Sequence, residues 1–142
     1  MATTGAKTTI FENLILDHLF RAEAAPNTGL YIGLVTGNPT FDDDNAATLV
    51  DHEVVKDSGY NRQAIHRPIM GAASAGVITT TDEINFGTSS NSAGWGTVTG
   101  FFINTETSAG VTYYYGVFDT EKSVATGDSV RITAGNLTIE EQ

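Results

Sequence analysis

The chain has no cysteine, three prolines and only seven lysines and arginines. Without cysteine there is no disulfide frame, no thiolate nucleophile and no zinc–thiolate site. So few prolines, and no low-complexity tract, argue against a long disordered linker. Seven basic against seventeen acidic side chains leave a formal charge of −10. Such a surface repels phosphate, so nucleic acid is not an expected partner. No apolar run approaches the roughly 18 residues that a membrane span requires, and no membrane is expected as a partner. The opening stretch MATTGAKTTIFENLILDHLF is broken by Glu12, Asn13, Asp17 and His18. A signal peptide needs an unbroken apolar centre, so none is expected here.

What is present reads as one folded unit. At 142 residues, 40% hydrophobic and 17% charged, the chain is long enough for a single core, and one domain spanning residues 1–142 is expected. Thr, Ser, Asn and Gly stand where charged residues usually would, as in β-rich chains with many turns. One helix is predicted over 9–21. Thr8 or Thr9 can cap it, and Glu12 follows Thr9 at capping-box spacing. Phe11, Leu14, Ile15 and Leu19 make an apolar stripe that Leu16 and Phe20 widen. That stripe must cover a sheet edge or dock on a neighbouring molecule.

Beyond Ala25 the pattern is β. GLYIGLVTG (29–37) is an apolar strand, and YNRQAIHRPI (60–69) is a strand whose Pro68 suits a sheet edge. GVITTTDEINFG (76–87) holds one bent strand or two short ones. GWGTVTGFFI (94–103) alternates small or polar with large apolar residues, which predicts a strand with one face toward water. Trp95 is then expected near the rim. VTYYYGVFD, SVRITAG and NLTIEE follow, each introduced by a turn. The expectation is a mainly β protein, an antiparallel β-sandwich or jelly-roll of about seven or eight strands with one N-terminal helix. Leu34, Ile84, Phe86, Phe101, Ile103, Val117 and Leu137 are expected in its core. Residues 38–59 form a long acidic excursion, and loops of that length are usually functional.

Few constellations point to chemistry. The run FDDDN places Asp42, Asp43 and Asp44 together, and hard cations such as calcium take oxygen ligands. Adjacent residues diverge, however, and no EF-hand pattern follows, so a solvated loop is the plainer reading. His18, His52 and His66 are far apart, and Asp51 and Glu53 alternate away from His52 on an extended chain. No HExxH or GxSxG occurs. No catalytic residue, metal or cofactor is expected. Arg62 and Arg67 must each find a carboxylate. Glu53 is the intramolecular choice for Arg62, while an interface is as good a choice for Arg67. Tyr113, Tyr114 and Tyr115 must place rings on both faces of their strand, and exposed rings bind proteins or sugars.

The series NLILDHLF, GLYIGLVTGNPT, SGYNRQAI, WGTVTGFFI and YYYGVFDTEKSVATGDSVRITAGNLTI, in that order, resembles a family of small virion proteins of tailed bacteriophages. Members are labelled tail-fibre or minor structural proteins, and β-rich phage proteins of this size also serve as capsid cement. Gly100 stands where the family motif has a histidine, and the excursion after TGNPT is longer and more acidic than usual. The resemblance implies a non-enzymatic virion structural protein, assembled in the host cytoplasm and acting as a homo-oligomer. It would be a capsid cement protein bound to the major capsid protein or other virion subunits. Alternatively, it would be a tail or tail-fibre subunit contributing to host attachment through carbohydrate. Phe11, Leu14, Phe41, Arg62, Arg67 and Tyr114 are the interface candidates, with the excursion and the helix expected to touch neighbours.

Overall fold

Nine strands and one long helix organise the chain in a computed structural model that describes residues 3–26, 29–43, 46–56, 58–65 and 69–140. The main sheet joins β1 (Thr3–Lys7), β7 (Thr112–Val124), β6 (Gly96–Asn104), β2 (Tyr31–Thr36) and β3 (Gln63–Ala64), in that order. All of its ladders are antiparallel. Two smaller antiparallel sheets pair β4 (Val77–Thr79) with β9 (Thr138–Glu140), and β5 (Ile84–Thr88) with β8 (Ser129–Ile132). Segment 76–87 thus holds two short strands, and the short β3 is a sheet edge. Strand β1, which the sequence pattern did not suggest, forms the opposite edge.

The main core lies between the large sheet and the β5–β8 pair. Ile32, Leu34, Phe101, Ile103 and Phe118 from the sheet pack with Ile84, Phe86, Val130 and Ile132, and Leu137 joins them. Each such side chain contributes about 1.5–3 kcal/mol on burial. Trp95 belongs to this cluster instead of its rim: it is 6% exposed. Its Nε1 donates to Ser58 O at 2.9 Å, and its ring meets Tyr60 edge-on.

Strand β6 is buried on both faces, contrary to the one-sided exposure its alternation suggests. Register irregularities between Val98 and Gly100 and between Ile103 and Asn104 break the simple parity. Val98, Phe101 and Ile103 face the main core, whereas Phe102 enters a second cluster with Val35 and Leu49. Val117 is the one misplaced core residue. Phe101 sits opposite Gly116 and Gly100 opposite Val117, so Val117 shares the second face and is 41% exposed.

The excursion covers that second face. It contains a short helix, α2 (Ala46–Leu49), and a 3-10 turn (Val50–His52). Leu49 is fully buried, and Phe41, Val50 and Tyr115 pack around it. Val55 stays outside, 71% exposed. The segment is therefore anchored on its own sheet.

Helix α1 (Thr9–Arg21) has the predicted span. Thr8 is its N-cap, with the side chain accepting from Phe11 N–H at 3.2 Å. The third helical residue is then Phe11, one position before Glu12, so no capping box forms. The helix ends at Ala22 in the left-handed conformation, φ 55°.

Gly100 is where sheet and cover meet most closely. A Cβ there would stand 2.7 Å from the Phe41 ring and would also collide with Gly116 O. Gly100→Ala should therefore destabilise the fold by about 1–3 kcal/mol through overpacking. Urea denaturation checks this, and a variant as stable as the parent would show that Phe41 does not seat against this glycine.

Candidate functional site

The helix is tied to the sheet at its N-terminal end. Thr8 is fully buried. Its backbone N–H donates to Tyr113 O at 2.9 Å, and its hydroxyl donates to Thr112 O at 2.8 Å. Phe11 then stacks on Tyr113, with centroids 4.4 Å apart, and meets Tyr114 at 5.0 Å. The N–H of Thr9 donates to Asp43 O at 3.4 Å, linking helix and excursion. The apolar stripe is only partly used. Phe11, Leu14 and Ile15 are half-buried, but no helix residue is fully buried. Leu19 belongs to the outside at 66% exposure, with Phe20 at 79% and both Ile10 and Leu16 at 53%.

The excursion contributes an anionic clasp. The Tyr115 hydroxyl donates to Asp43 Oδ1, and its ring lies 6.5 Å from that of Phe41. Burial, then the bond to Asp43 and the nearby charges of Asp43, Asp42 and Glu12, push the Tyr115 phenol up to about 12. Asp43 is thus engaged in holding the cover, and Asp44 lies outside the described residues. Among the described residues no group of three Asp, Glu or His side chains is placed to hold a metal. His18 Nδ1 lies 2.8 Å from Glu23 O, the carbonyl of His52 accepts from Thr36, and His66 is outside the described residues.

The far end of the excursion is fixed by ions. Arg62 Nε donates to Glu53 Oε2 at 2.7 Å and Nη2 to Glu53 Oε1 at 3.1 Å. Its Nη1 donates to Glu106 O at 2.7 Å and to Ala109 O at 3.0 Å. The guanidinium lies 4.8 Å from the centre of the Phe102 ring. Glu53 also accepts from the Tyr60 hydroxyl at 2.7 Å, and that hydroxyl accepts from Leu34 N–H. Burial, reinforced by the Glu53 charge, raises the Tyr60 pKa. Gly33 makes room for this set: a Cβ would stand 2.9 Å from Glu53 Oε2 and 2.5 Å from the Phe102 ring.

Three of the sequence-derived interface candidates lie near residues 113–115 of β7: Phe11 from α1, Tyr114 half-buried against it, and Phe41 beside Tyr115, while Leu14 is half-buried one turn further along α1. Arg62 does not join them. Its side chain is 0% exposed, so it binds Glu53 instead of presenting itself to a neighbour. Arg67 lies outside the described residues. The helix is expected from sequence to dock on a sheet edge or a neighbour, but Leu16, Leu19 and Phe20, which are exposed, are not among the named interface candidates. The signal for them was available: the helix carries more apolar residues than one stripe can bury. No exposed row of rings supports sugar stacking. Trp95 is buried, the five tyrosines are buried or half-buried, and Phe20 is the exposed aromatic among the described residues. Among the described residues no helix is long and apolar enough to cross a membrane.

Comparison with known proteins places the chain in a family. The model of the family described as Podophage GP4 fiber I protein gp80 matches residues 6–140. No curated protein matches the chain.

Two measurements test the geometry. Arg62→Met leaves Glu53 buried without its cation and should destabilise the fold by about 3–5 kcal/mol in chemical denaturation. A loss below about 1 kcal/mol would mean that Glu53 reaches water. The Tyr115 contribution has a defined pH window. A phenol whose pKa rises from 10.0 to about 12 on folding stabilises fully below pH 10, and that stabilisation is lost as pH rises toward 12. Tyr115→Phe should therefore flatten the alkaline fall in stability over this interval. An unchanged profile would remove the Asp43 clasp from the account.

Proposed function

The chain belongs to the Podophage GP4 fiber I protein gp80 family, and from that premise we propose that it is a fibre-associated subunit of the particle that contributes to host attachment. Its family makes it a structural protein of the tailed-phage virion, where it contacts other virion subunits. The family match over nearly the whole chain is the observation that carries the fibre assignment. A capsid-cement role rests on size and β content, which a fibre subunit shares equally.

The geometry supports a role exercised through contacts. No metal-binding group occurs among the described residues, and the strongest polar constellation, Glu53 with Arg62 and Tyr60, is buried and internally satisfied. The surface offers apolar side chains on α1. Attachment in this reading comes from building and orienting the fibre. Sugar recognition would need exposed rings beyond Phe20. The subunit is assembled in the host cytoplasm as a homo-oligomer and folds as one domain.

Gold-labelled antibody against the chain, applied to purified particles, locates it. Label at the tail fibres, with a copy number matching the fibres by quantitative mass spectrometry, is the expected result. Label distributed over the head at a shell-wide copy number would replace the fibre role with the cement role.

A further inference from the structure

Strand β1 ends the main sheet on one side, and among the described residues β7 is the strand it pairs with. The sheet's other end is a strand of only two residues, Gln63–Ala64. An unpaired edge presents a row of N–H and C=O groups that another chain can use. Folds usually blunt such an edge with proline, a bulge, charge or a very short strand. β1 is five residues long and runs from Thr3↔Phe118 to Lys7↔Tyr114 without a break in register. Its sequence, TTGAK, has no proline and carries charge only at its last position.

One bond fixes which groups face outward. Thr8 N–H donates to Tyr113 O, and in a strand the backbone groups of alternate residues point to the same side. The backbone of Thr4 and Ala6 is therefore turned to β7, opposite Val117 and Tyr115. That of Thr3, Gly5 and Lys7 is turned away. The edge is also held in place, because Thr8, directly after it, is fully buried and bonded to Tyr113 and Thr112.

This arrangement fits a second copy of the chain. Two β1 strands laid antiparallel about a two-fold axis at Gly5 exchange both N–H···O=C bonds between the two Gly5 residues. Thr3 of each copy then falls opposite Lys7 of the other, so the one charge of the strand never faces its twin. The contact is self-complementary, as a two-fold interface must be. The distribution of acids favours the same margin. The chain carries −10, yet residues 3–11, 96–104 and 112–118 contain no aspartate or glutamate. A second acidic copy meets less repulsion here than over the excursion or beside Asp119 and Glu121.

We infer that the outer edge of β1 is a self-association surface, on which β1 of a second copy pairs antiparallel with Gly5 opposite Gly5, joining two five-stranded sheets into one. This rests on the proposed subunit role and deepens it by naming the contact between copies. A five-residue strand contributes few hydrogen bonds, each modest in net terms, so the free chain pairs weakly. The pairing gains strength where other contacts already hold copies close together.

Sedimentation equilibrium of the full chain over a range of concentrations should show monomer passing to dimer, with Trp95 fluorescence reporting an intact core. Gly5→Pro removes an outward N–H from each copy and leaves the bonds of Thr4, Ala6 and Thr8 to β7 in place. It should weaken dimerisation about tenfold or more without changing the fluorescence. The chain has no cysteine, so Gly5→Cys adds a single thiol. Residues paired in this register have Cα atoms about 5.5 Å apart, within reach of a disulfide. Mild oxidation with oxidised glutathione should therefore link two Gly5→Cys copies, and should link Ser92→Cys, at an exposed loop position, far more slowly. A parent that stays monomeric at every concentration overturns the proposal. So does dimerisation unaffected by Gly5→Pro, and so does Gly5→Cys linking no faster than Ser92→Cys. If Gly5→Pro alters the fluorescence, the Gly5→Cys link decides alone. Particle labelling separates the two readings: a chain found on the fibre yet monomeric in solution ends self-pairing and leaves the fibre assignment standing.

Discussion

Phe101 and Phe102 are neighbours in β6, and successive side chains of a strand point to opposite faces. They cannot enter the same core. Phe101 packs with Phe118 over the β5–β8 side, and Phe102 must find a second cover. A sheet whose central strand is apolar on both faces needs two layers over it, and much of the remaining architecture answers to that need. The excursion over residues 38–59 supplies the second layer with Phe41, Leu49 and Val50. Glycine at 100 and at 33 lets the sheet accept it, one beneath the Phe41 ring and the other beside Glu53 and Phe102.

A cover made of so short an apolar set has to be fastened at its ends. At one end Asp43 joins Tyr115 and the first turn of α1. At the other, Glu53 bridges to Val35 and is clamped by Arg62 and Tyr60. A buried ion pair gains little net stability over an apolar pair, because desolvating both charges offsets their attraction. What it supplies here is position. Arg62 also gathers two carbonyls of the 106–109 turn, so one guanidinium fixes the end of the cover, the start of β3 and the β6–β7 connection together. That is why an arginine in an acidic protein is found inside it.

Several of these features could be read in the sequence. The helix span, the short strands, most of the core and the Glu53–Arg62 pairing follow from local periodicity or from the need of a lone cation for a carboxylate. What escaped depends on information that periodicity does not carry. Alternation along the strand places Val117 in the core, yet its face is set by register against Gly100 across a bulged ladder. The alternation in GWGTVTGFFI suggested a wet face because small residues look polar in a pattern. In the structure one of those small residues, Gly100, makes space for a second layer of chain. Gly100 and the excursion, far apart in sequence, are the two sides of one contact.

The same logic separates the excursion from the helix. Both looked too poorly anchored to stand alone, which suggested that both would lean on neighbours. The excursion buries Leu49 and Val54 and half-buries Phe41 and Val50 at home, leaving Val55 outside, and Asp43 and Glu53 hold it in place. The helix is different, because its first turn is fixed by Thr8 and Phe11 while its later turns carry Leu16, Leu19 and Phe20 into solvent. Desolvating those side chains is favourable wherever a matching surface appears, and nothing within the described fold supplies one. Surplus apolar surface on a rigidly seated element, in a chain from a family of virion fibre proteins, is the property of a part made to be joined to others.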